Sequence, residues 1–162
     1  MASSLQVVDE EKHVEKTKET FEEVRDYLFK EVSEMELPWV PLPCYSGYFL
    51  MADISKCRSL IPDKYFESHE IDSMDDPLQP PVNKYHLYMP KEEGSEDQYI
   101  PLDLAFCRWM GRENGVTMMP GSFFYSKGSP YIDDNYIRLA ICKDLKSVKL
   151  VCNRLRLINI SK

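Results

Sequence analysis

The chain has 162 residues and a formal net charge of -7, with 20 Lys and Arg against 27 Asp and Glu. This length suits a single domain with a sizeable core, and the acidic excess argues against nucleic acid as a partner, because phosphate binding depends on clustered Lys and Arg. No apolar run approaches the roughly 20 residues that span a membrane. The 5 cysteines are an odd number without Cys-x-x-Cys spacing. They predict no zinc site and favour a reduced, intracellular compartment.

The first predicted element is a long helix over residues 10–36. Apolar residues recur there at steps of three, four and seven, which places them on one stripe, and Pro38 forbids continuation. The stripe consists of Val14, Phe21, Val24, Leu28, Val32 and Met35.

The first predicted strand runs from Tyr48 to Ile54. Period-two alternation puts Tyr48, Leu50, Ala52 and Ile54 on one face. Prolines at positions 38, 41 and 43 predict a stiff, extended stretch ahead of it. Residues 55–60 are interpreted as one helical turn that Pro62 ends.

Residues 63–98 interrupt this pattern. They hold ten Asp and Glu against three Lys, and this difference of seven accounts for the whole net charge of -7. A connection of this length without periodicity is uncommon in a compact domain, so we interpret it as a solvent-exposed insertion, with residues 85–89 as a candidate edge strand. The acidic run at 72–76 lacks the spacing of a calcium loop, and the three histidines are scattered, so no metal site is predicted.

The second half predicts a helix, two strands and a last helix. The helix runs from Pro101 to Asn114 with an inner face of Leu102, Phe106, Trp109 and Met110, and Gly115 ends it. Strands follow at residues 116–119 and 136–142. Asp144 then caps a helix whose apolar face holds Val148, Val151, Leu155 and Ile158. This order predicts an α/β (α+β) fold for residues 1–162, with an open, mostly antiparallel sheet of three to four strands covered by helices.

Arg138 is the main candidate functional residue. It lies inside an apolar strand, where a charge is costly to desolvate unless something pairs with it. Its planar guanidinium fits a carboxylate through two hydrogen bonds, so Arg138 is a candidate carboxylate-binding residue. Two structural alternatives remain open: exposure on the solvent face of a half-buried strand, or an internal pair with Asp or Glu.

Neighbouring polar and aromatic residues are less specific. Ser122 has no histidine close in sequence, and we expect its hydroxyl to bond the backbone of its own turn. Four aromatic residues near the candidate strands either line a substrate pocket or belong to the core, namely Tyr48, Phe123, Phe124 and Tyr125.

Four stretches occur in an order that resembles one enzyme family. They are Tyr45 to Ser55 (YSGYFLMADIS), Leu104 to Met110 (LAFCRWM), Gly115 to Tyr125 (GVTMMPGSFFY) and Tyr136 to Asp144 (YIRLAICKD). Together they resemble class I/II pyridoxal-phosphate-dependent aminotransferases, nearest the kynurenine–oxoglutarate transaminase / cysteine-conjugate β-lyase subgroup. The likeness covers residues 10–60 and 100–160 and fails between them, where the family has a shorter link.

The resemblance implies that this chain is the C-terminal small domain of such an enzyme. It implies that Arg138 grips the α-carboxylate of an amino or keto acid substrate. The Schiff-base lysine, the acidic partner of the pyridine nitrogen and the phosphate cradle belong to the family's preceding large domain, and no segment resembling them is found here. Pyridoxal phosphate is therefore expected only in the complete enzyme, and no catalytic or cofactor-binding residue is predicted on this chain, which should be inactive alone.

The implied partners are the large domain of the same enzyme, the substrate, and a second copy in a homodimer of the complete enzyme. Two other functions stay open: a stand-alone carboxylate-binding or regulatory domain, and part of an aminocyclopropane-carboxylate synthase-like lyase. The residues after Met1 show no secretion signal, which predicts a cytoplasmic location, or a mitochondrial one for the complete protein.

Overall fold

The computed structural model describes residues 12–66, 89–90, 98–126 and 129–158. Its helices are α1 (His13–Glu34), α2 (Leu102–Asn114) and α3 (Leu145–Arg156). Its strands are β1 (Val40–Pro41), β2 (Phe49–Asp53), β3 (Met89–Pro90), β4 (Gln98–Tyr99), β5 (Met119–Pro120) and β6 (Tyr136–Ala140). No helix in these ranges is long and apolar enough to cross a bilayer.

The central sheet has four strands in the order β1-β2-β6-β5, and every neighbouring pair is antiparallel. Helix α1 packs on α3, β1 and β2, while α2 packs on β5 and β6. The predicted fold class, a small open antiparallel sheet covered by helices, is therefore confirmed.

The two faces of the sheet differ in burial. Leu50, Ala52, Ile137 and Leu139 are buried in the core on the helical side. The alternate residues of β2 and β6 are only half-buried. We call this second side the open face; it consists of Phe49, Met51, Asp53, Met119, Tyr136, Arg138 and Ala140.

Helix α1 agrees with the predicted element, but the stripe is buried only in its C-terminal half. Val24, Leu28 and Val32 are at most 2% exposed, whereas Val14 is 63% exposed. A helix of 22 residues spans about 33 Å, nearly twice the reach of a five-residue strand. Its first turns therefore extend past the sheet. Tyr48, predicted to share one face of the first strand with Leu50, Ala52 and Ile54, is likewise exposed, because β2 begins one residue later.

The proline-rich stretch contributes a strand that the sequence did not predict. Val40 pairs with Asp53 and Pro41 with Ala52, and the Leu42 amide donates to the Met51 carbonyl at 2.8 Å. A proline is tolerated here because β1 is an edge strand. No strand of the described residues lies on its outer side, so the N–H that proline lacks is not needed for strand pairing there.

The predicted turn at 55–60 is a 3-10 helix, and a second one follows at Asp63–Tyr65. Tyr65 is 2% exposed, and its hydroxyl donates to Glu113 at 3.0 Å. The start of the predicted exposed insertion is thus part of the folded domain. Residues 67–88 and 91–97, which include the acidic runs and most of the candidate strand 85–89, lie outside the described residues.

Helix α2 ends at Gly115 as predicted. Gly115 has a φ of +64°, in the left-handed region, and its carbonyl accepts a 2.8 Å hydrogen bond from Arg154 Nη1. A Cβ at this position would lie 2.8 Å from that nitrogen. Both the backbone conformation and the close approach of Arg154 therefore favour glycine.

Gly115→Ala is expected to lower the free energy of unfolding by about 1–2 kcal/mol, because alanine is strained at positive φ and displaces Arg154. Gly111→Ala is the matched control. Gly111 is helical and its Cβ would meet nothing within 4 Å, so the same change should stabilise by up to about 1 kcal/mol. Urea denaturation of both variants measures the difference. Midpoints that move in the same direction would contradict this assignment.

Helix α3 begins as predicted at the cap Asp144, whose carboxylate accepts from the Ser147 amide at 2.8 Å and the Ser147 hydroxyl at 2.6 Å. Two of the predicted apolar residues, Val148 and Leu155, are fully buried, and Cys152 joins them. The helix is therefore positioned by a local cap and by one apolar face.

Candidate functional site

Arg138 lies in the middle of β6, at the centre of the open face. Met51 on β2 and Met119 on β5 are its direct cross-strand neighbours. Its guanidinium carbon lies 4.1 Å from the Phe49 ring centroid and 4.0 Å from that of Phe124. Each cation–π contact contributes roughly 0.5–2 kcal/mol. The guanidinium therefore contacts two aromatic rings.

The polar edge of Arg138 has no protein partner within the described residues. Its Nε is buried and donates no hydrogen bond there, and no described Asp or Glu forms an ion pair with it. A buried donor left without an acceptor costs roughly 1–3 kcal/mol. The alternative that Arg138 pairs with an internal Asp or Glu is thus not found within the described residues. A hydrogen-bond acceptor from outside these residues would relieve the cost of the buried donor.

A cavity of about 260 Å³ opens beside Arg138. Met51, Phe124, Tyr125 and Tyr136 supply its thioether and aromatic walls, and Asp133 supplies one carboxylate. The Asp133 carboxylate already accepts hydrogen bonds from the Asn135 amide at 3.0 Å and the Asn135 side chain at 2.7 Å. The cavity therefore combines a cationic group with a small, largely apolar enclosure.

The turn that carries Phe124 is fixed by its first residues. Gly121 donates its amide to the Tyr136 carbonyl at 2.9 Å, and a Cβ at Gly121 would lie 2.7 Å from that oxygen. Ser122 opens a 3-10 turn, Ser122–Phe124, and is fully buried. Its amide donates to Asp103 Oδ2 at 2.6 Å and its hydroxyl to Asp103 Oδ1 at 2.9 Å. The prediction that the hydroxyl bonds its own turn backbone was wrong.

Asp103 is the residue that the sequence interpretation missed. It lies in the first turn of α2 and is fully buried. Burial raises the pKa of its carboxyl from 3.8 to about 6, although the hydrogen bonds from Ser122 work in the opposite direction. The available signal was an acid inside the apolar run PLDLAFCRWM, one residue away from the predicted inner face. Asp103 was missed because the prediction assumed one buried stripe along α2, whereas α2 is buried on more of its surface.

The predicted aromatic residues divide between two places. Phe124 and Tyr125 line the cavity at Arg138, and Phe123 is 43% exposed nearby. Tyr48 lies elsewhere, edge-on to the Phe21 ring at 5.6 Å, beside a larger cavity of about 490 Å³ between α1 and residues 44–48. Only the first group therefore belongs to the candidate site.

The described lysines do not fit a Schiff base with pyridoxal phosphate. Such a lysine is normally enclosed with its cofactor, away from bulk water. All lysines in the described ranges are exposed, namely Lys12, Lys16, Lys18, Lys30, Lys56, Lys64, Lys143, Lys146 and Lys149. None of the described lysines is enclosed by this part of the chain.

Comparison with known proteins identifies relatives over most of the chain. No protein-family model matches it. It is 28% identical over 133 residues to kynurenine–oxoglutarate transaminase 1 of Rattus norvegicus and 26% identical over 132 residues to that of Homo sapiens. Each alignment covers 82% of this chain but 24% of the relative. The chain thus spans about a quarter of the length of these relatives.

A solved structure shares the fold. Bna3p from Saccharomyces cerevisiae, a candidate kynurenine aminotransferase, matches with a TM-score of 0.64 and 24% identity, over 96% of this chain and 30% of that one. The predicted resemblance to the kynurenine–oxoglutarate transaminase subgroup is confirmed by the sequence relatives, and the matched part corresponds to their small domain.

Proposed function

We propose that this chain is the C-terminal small domain of a pyridoxal-phosphate-dependent aminotransferase of the kynurenine–oxoglutarate transaminase kind, and that Arg138 binds the α-carboxylate of its amino or keto acid substrate. The observation that supports this most is the guanidinium of Arg138, which lines a cavity and has no acceptor in the described part of the chain. The sequence relatives support the enzyme class.

The aromatic contacts suit this role. The Phe49 and Phe124 rings contact the guanidinium carbon without accepting its hydrogen bonds. The Nη groups have no hydrogen-bond partner within the described residues. A carboxylate can bind these two groups with two parallel hydrogen bonds. Because the rings restrict the side chain before the substrate arrives, less conformational entropy is lost on binding.

The rest of the proposed enzyme lies in its large domain. The described lysines are exposed, so pyridoxal phosphate and the lysine that binds it are proposed to lie in that domain. The open face, with Arg138 at its centre, is then the side that meets the substrate and the large domain. The complete enzyme is proposed to be a homodimer in the cytoplasm or the mitochondrion.

The isolated chain is expected to form no stoichiometric Schiff base with pyridoxal phosphate. Borohydride reduction followed by peptide mass spectrometry should find scattered, substoichiometric labelling of surface lysines, because none is enclosed within the described residues. One lysine labelled at a one-to-one ratio would overturn the assignment of the cofactor to the large domain.

The carboxylate site can be tested on the chain itself by NMR. Pyruvate should shift the Arg138 Nε–H signal in a saturable manner, whereas pyruvamide, which has no carboxylate, should not. Arg58 is an internal control, because its guanidinium also stacks on a ring, that of Phe66 at 3.6 Å, but pairs with Asp63. Equal shifts at Arg58 and Arg138 would indicate non-specific ion binding and contradict the proposal.

The alternatives predict different gene structures. A continuous reading frame upstream of Met1 in the transcript, encoding a large domain with a Schiff-base lysine, supports the aminotransferase proposal. A leader with stop codons supports a stand-alone carboxylate-binding or regulatory domain. An aminocyclopropane-carboxylate synthase-like lyase would share the upstream domain and is separated from a transaminase by product analysis with the complete protein.

A further inference from the structure

We propose that Asp103 is a positioning residue for Arg138. It holds the Ser122–Phe124 turn against α2, and this turn places the Phe124 ring on the guanidinium. The inference deepens the proposed function, on which it rests for its role in substrate binding.

The first step is the attachment of Asp103 to the core. Asp103 is fully buried, and its helix is anchored by Phe106 and Met110, both 0% exposed. From this fixed point its two carboxylate oxygens accept the amide and the hydroxyl of Ser122, at 2.6 and 2.9 Å. A charged acceptor makes these bonds stronger than bonds between neutral groups. Asp103 therefore ties the turn to a rigid helix.

The second step runs through the turn itself. The Phe124 amide donates to the Gly121 carbonyl at 3.1 Å, and the Tyr125 amide donates to the Ser122 carbonyl at 3.2 Å. Phe124 is 59% exposed, so burial in the core does not determine where its ring lies. The backbone anchors at Gly121 and Ser122 therefore set the position of this ring.

The third step joins Phe124 to Arg138. The Phe49 ring is held by the β2–β6 ladder, whereas the Phe124 ring, 4.0 Å from the guanidinium, depends on the turn. Loss of the turn anchor would release one of the two aromatic surfaces. Arg138 would then sample more rotamers, and its edge would point at the cavity for a smaller fraction of the time.

The test is NMR of the labelled chain, because two stacked rings shift the Arg138 side-chain protons upfield. In Asp103→Ala the part of these shifts that comes from the Phe124 ring is expected to be lost, while the part from the Phe49 ring remains and the amide spectrum stays dispersed. Asp103→Asn is expected to lose part of these shifts. Asp103 Oδ2 accepts the Ser122 amide at 2.6 Å and Oδ1 accepts the Leu104 amide at 2.7 Å, so an NH2 in place of either oxygen faces an N–H donor. Phe124→Leu should reproduce the loss directly.

Asp134→Ala is the matched control. Asp134 Oδ2 accepts the Leu102 amide at 2.9 Å at the start of the same helix, but among the described residues it forms no hydrogen bond with the Ser122–Phe124 turn. Its loss should leave the Arg138 shifts unchanged. If Asp103→Ala does not fold, Ser122→Ala decides: it removes only the hydroxyl bond and should lose part of the shift. Unchanged shifts in the folded variant, or an equal loss in Asp134→Ala, would overturn the proposal.

A pyruvate titration separates this inference from the proposed function. Asp103→Ala should bind pyruvate roughly 2- to 12-fold more weakly than wild type, the range for ordering one flexible side chain. If wild type binds no carboxylate but Asp103→Ala still loses the Phe124 ring shifts, the proposed function fails and the positioning of Arg138 stands. If wild type binds pyruvate and the Phe124 ring shifts survive in Asp103→Ala, the positioning role fails alone.

Discussion

Arg138→Lys in the complete enzyme is expected to reduce kcat/KM by roughly 30- to 1000-fold, equivalent to about 2–4 kcal/mol of transition-state stabilisation. Lysine keeps the positive charge but loses the planar fork that meets both carboxylate oxygens. It also loses the flat surfaces that stack on Phe49 and Phe124. The substrate should therefore be held less firmly in the orientation from which it reacts.

Folding should change little in Arg138→Lys, because no described acidic residue pairs with Arg138. Steady-state kinetics with an amino acid donor, together with thermal unfolding, measures both effects. Arg58→Lys is the matched control: Arg58 stacks on Phe66 and pairs with Asp63, away from the cavity, so kcat/KM should be unaffected. A variant of Arg138 that unfolds readily but has normal kinetics would show that Arg138 is structural.

The elements predicted most accurately are those that local signals define. The periodic stripe of α1, the glycine that ends α2 and the Asp144 cap of α3 each depend on residues within one or two turns of each other. Local sequence therefore fixes where these helices begin and end. The same reasoning placed β2 and β6, because their alternation reflects one buried face.

The features that were missed depend on contacts between distant residues. Val40 and Pro41 become a strand only because β2 offers them an edge. Tyr65 is buried, and its hydroxyl donates a hydrogen bond to Glu113, 48 residues away in sequence. No local sequence pattern encodes such pairings. Residues 40–41 were therefore predicted as an extended stretch without strand pairing, and Tyr65 as part of an exposed insertion.

The candidate site shows the same division. Arg138 was identifiable because a charge inside an apolar strand is unusual in the sequence itself. Its aromatic contacts were not, since they require the pairing of β2 with β6 and the folding of the Ser122 turn over the open face. The Asp103–Ser122 contact, which spans 19 residues, was missed for the same reason.

Asp103 also predicts an unusual pH dependence of stability. Burial raises the pKa of its carboxyl to about 6 in the folded chain, against 3.8 as its ordinary value. The protonated form is thus favoured by folding. The contribution of this protonation to the free energy of unfolding is fully present below pH 3.8 and is lost as the pH rises through about 6. The difference between these two pKa values corresponds to about 3 kcal/mol.

The measurement is the free energy of unfolding of wild type and Asp103→Asn, by urea denaturation between pH 4 and 7. Asparagine carries no charge, so groups common to both proteins cancel in the difference. Wild type is expected to gain about 2 kcal/mol relative to Asp103→Asn as the pH falls from 7 to 4, because part of the full difference develops only below pH 4. Parallel curves would show that Asp103 titrates as an ordinary carboxyl and that its burial is not maintained in solution.

Glu113→Gln is a control of opposite sign. Hydrogen bonds from Lys64, Tyr65 and Trp109 lower the pKa of Glu113, with that from Lys64 contributing most. Its contribution is therefore present above its unfolded pKa and lost as the pH falls through the folded one. Wild type should lose stability relative to Glu113→Gln on acidification, by a smaller amount, because Glu113 is partly exposed and solvent screens it. The difference in free energy of unfolding from wild type should therefore change with pH in opposite directions for Asp103→Asn and Glu113→Gln. This result would distinguish the buried acid that holds the Phe124 turn from the partly exposed acid that binds Tyr65.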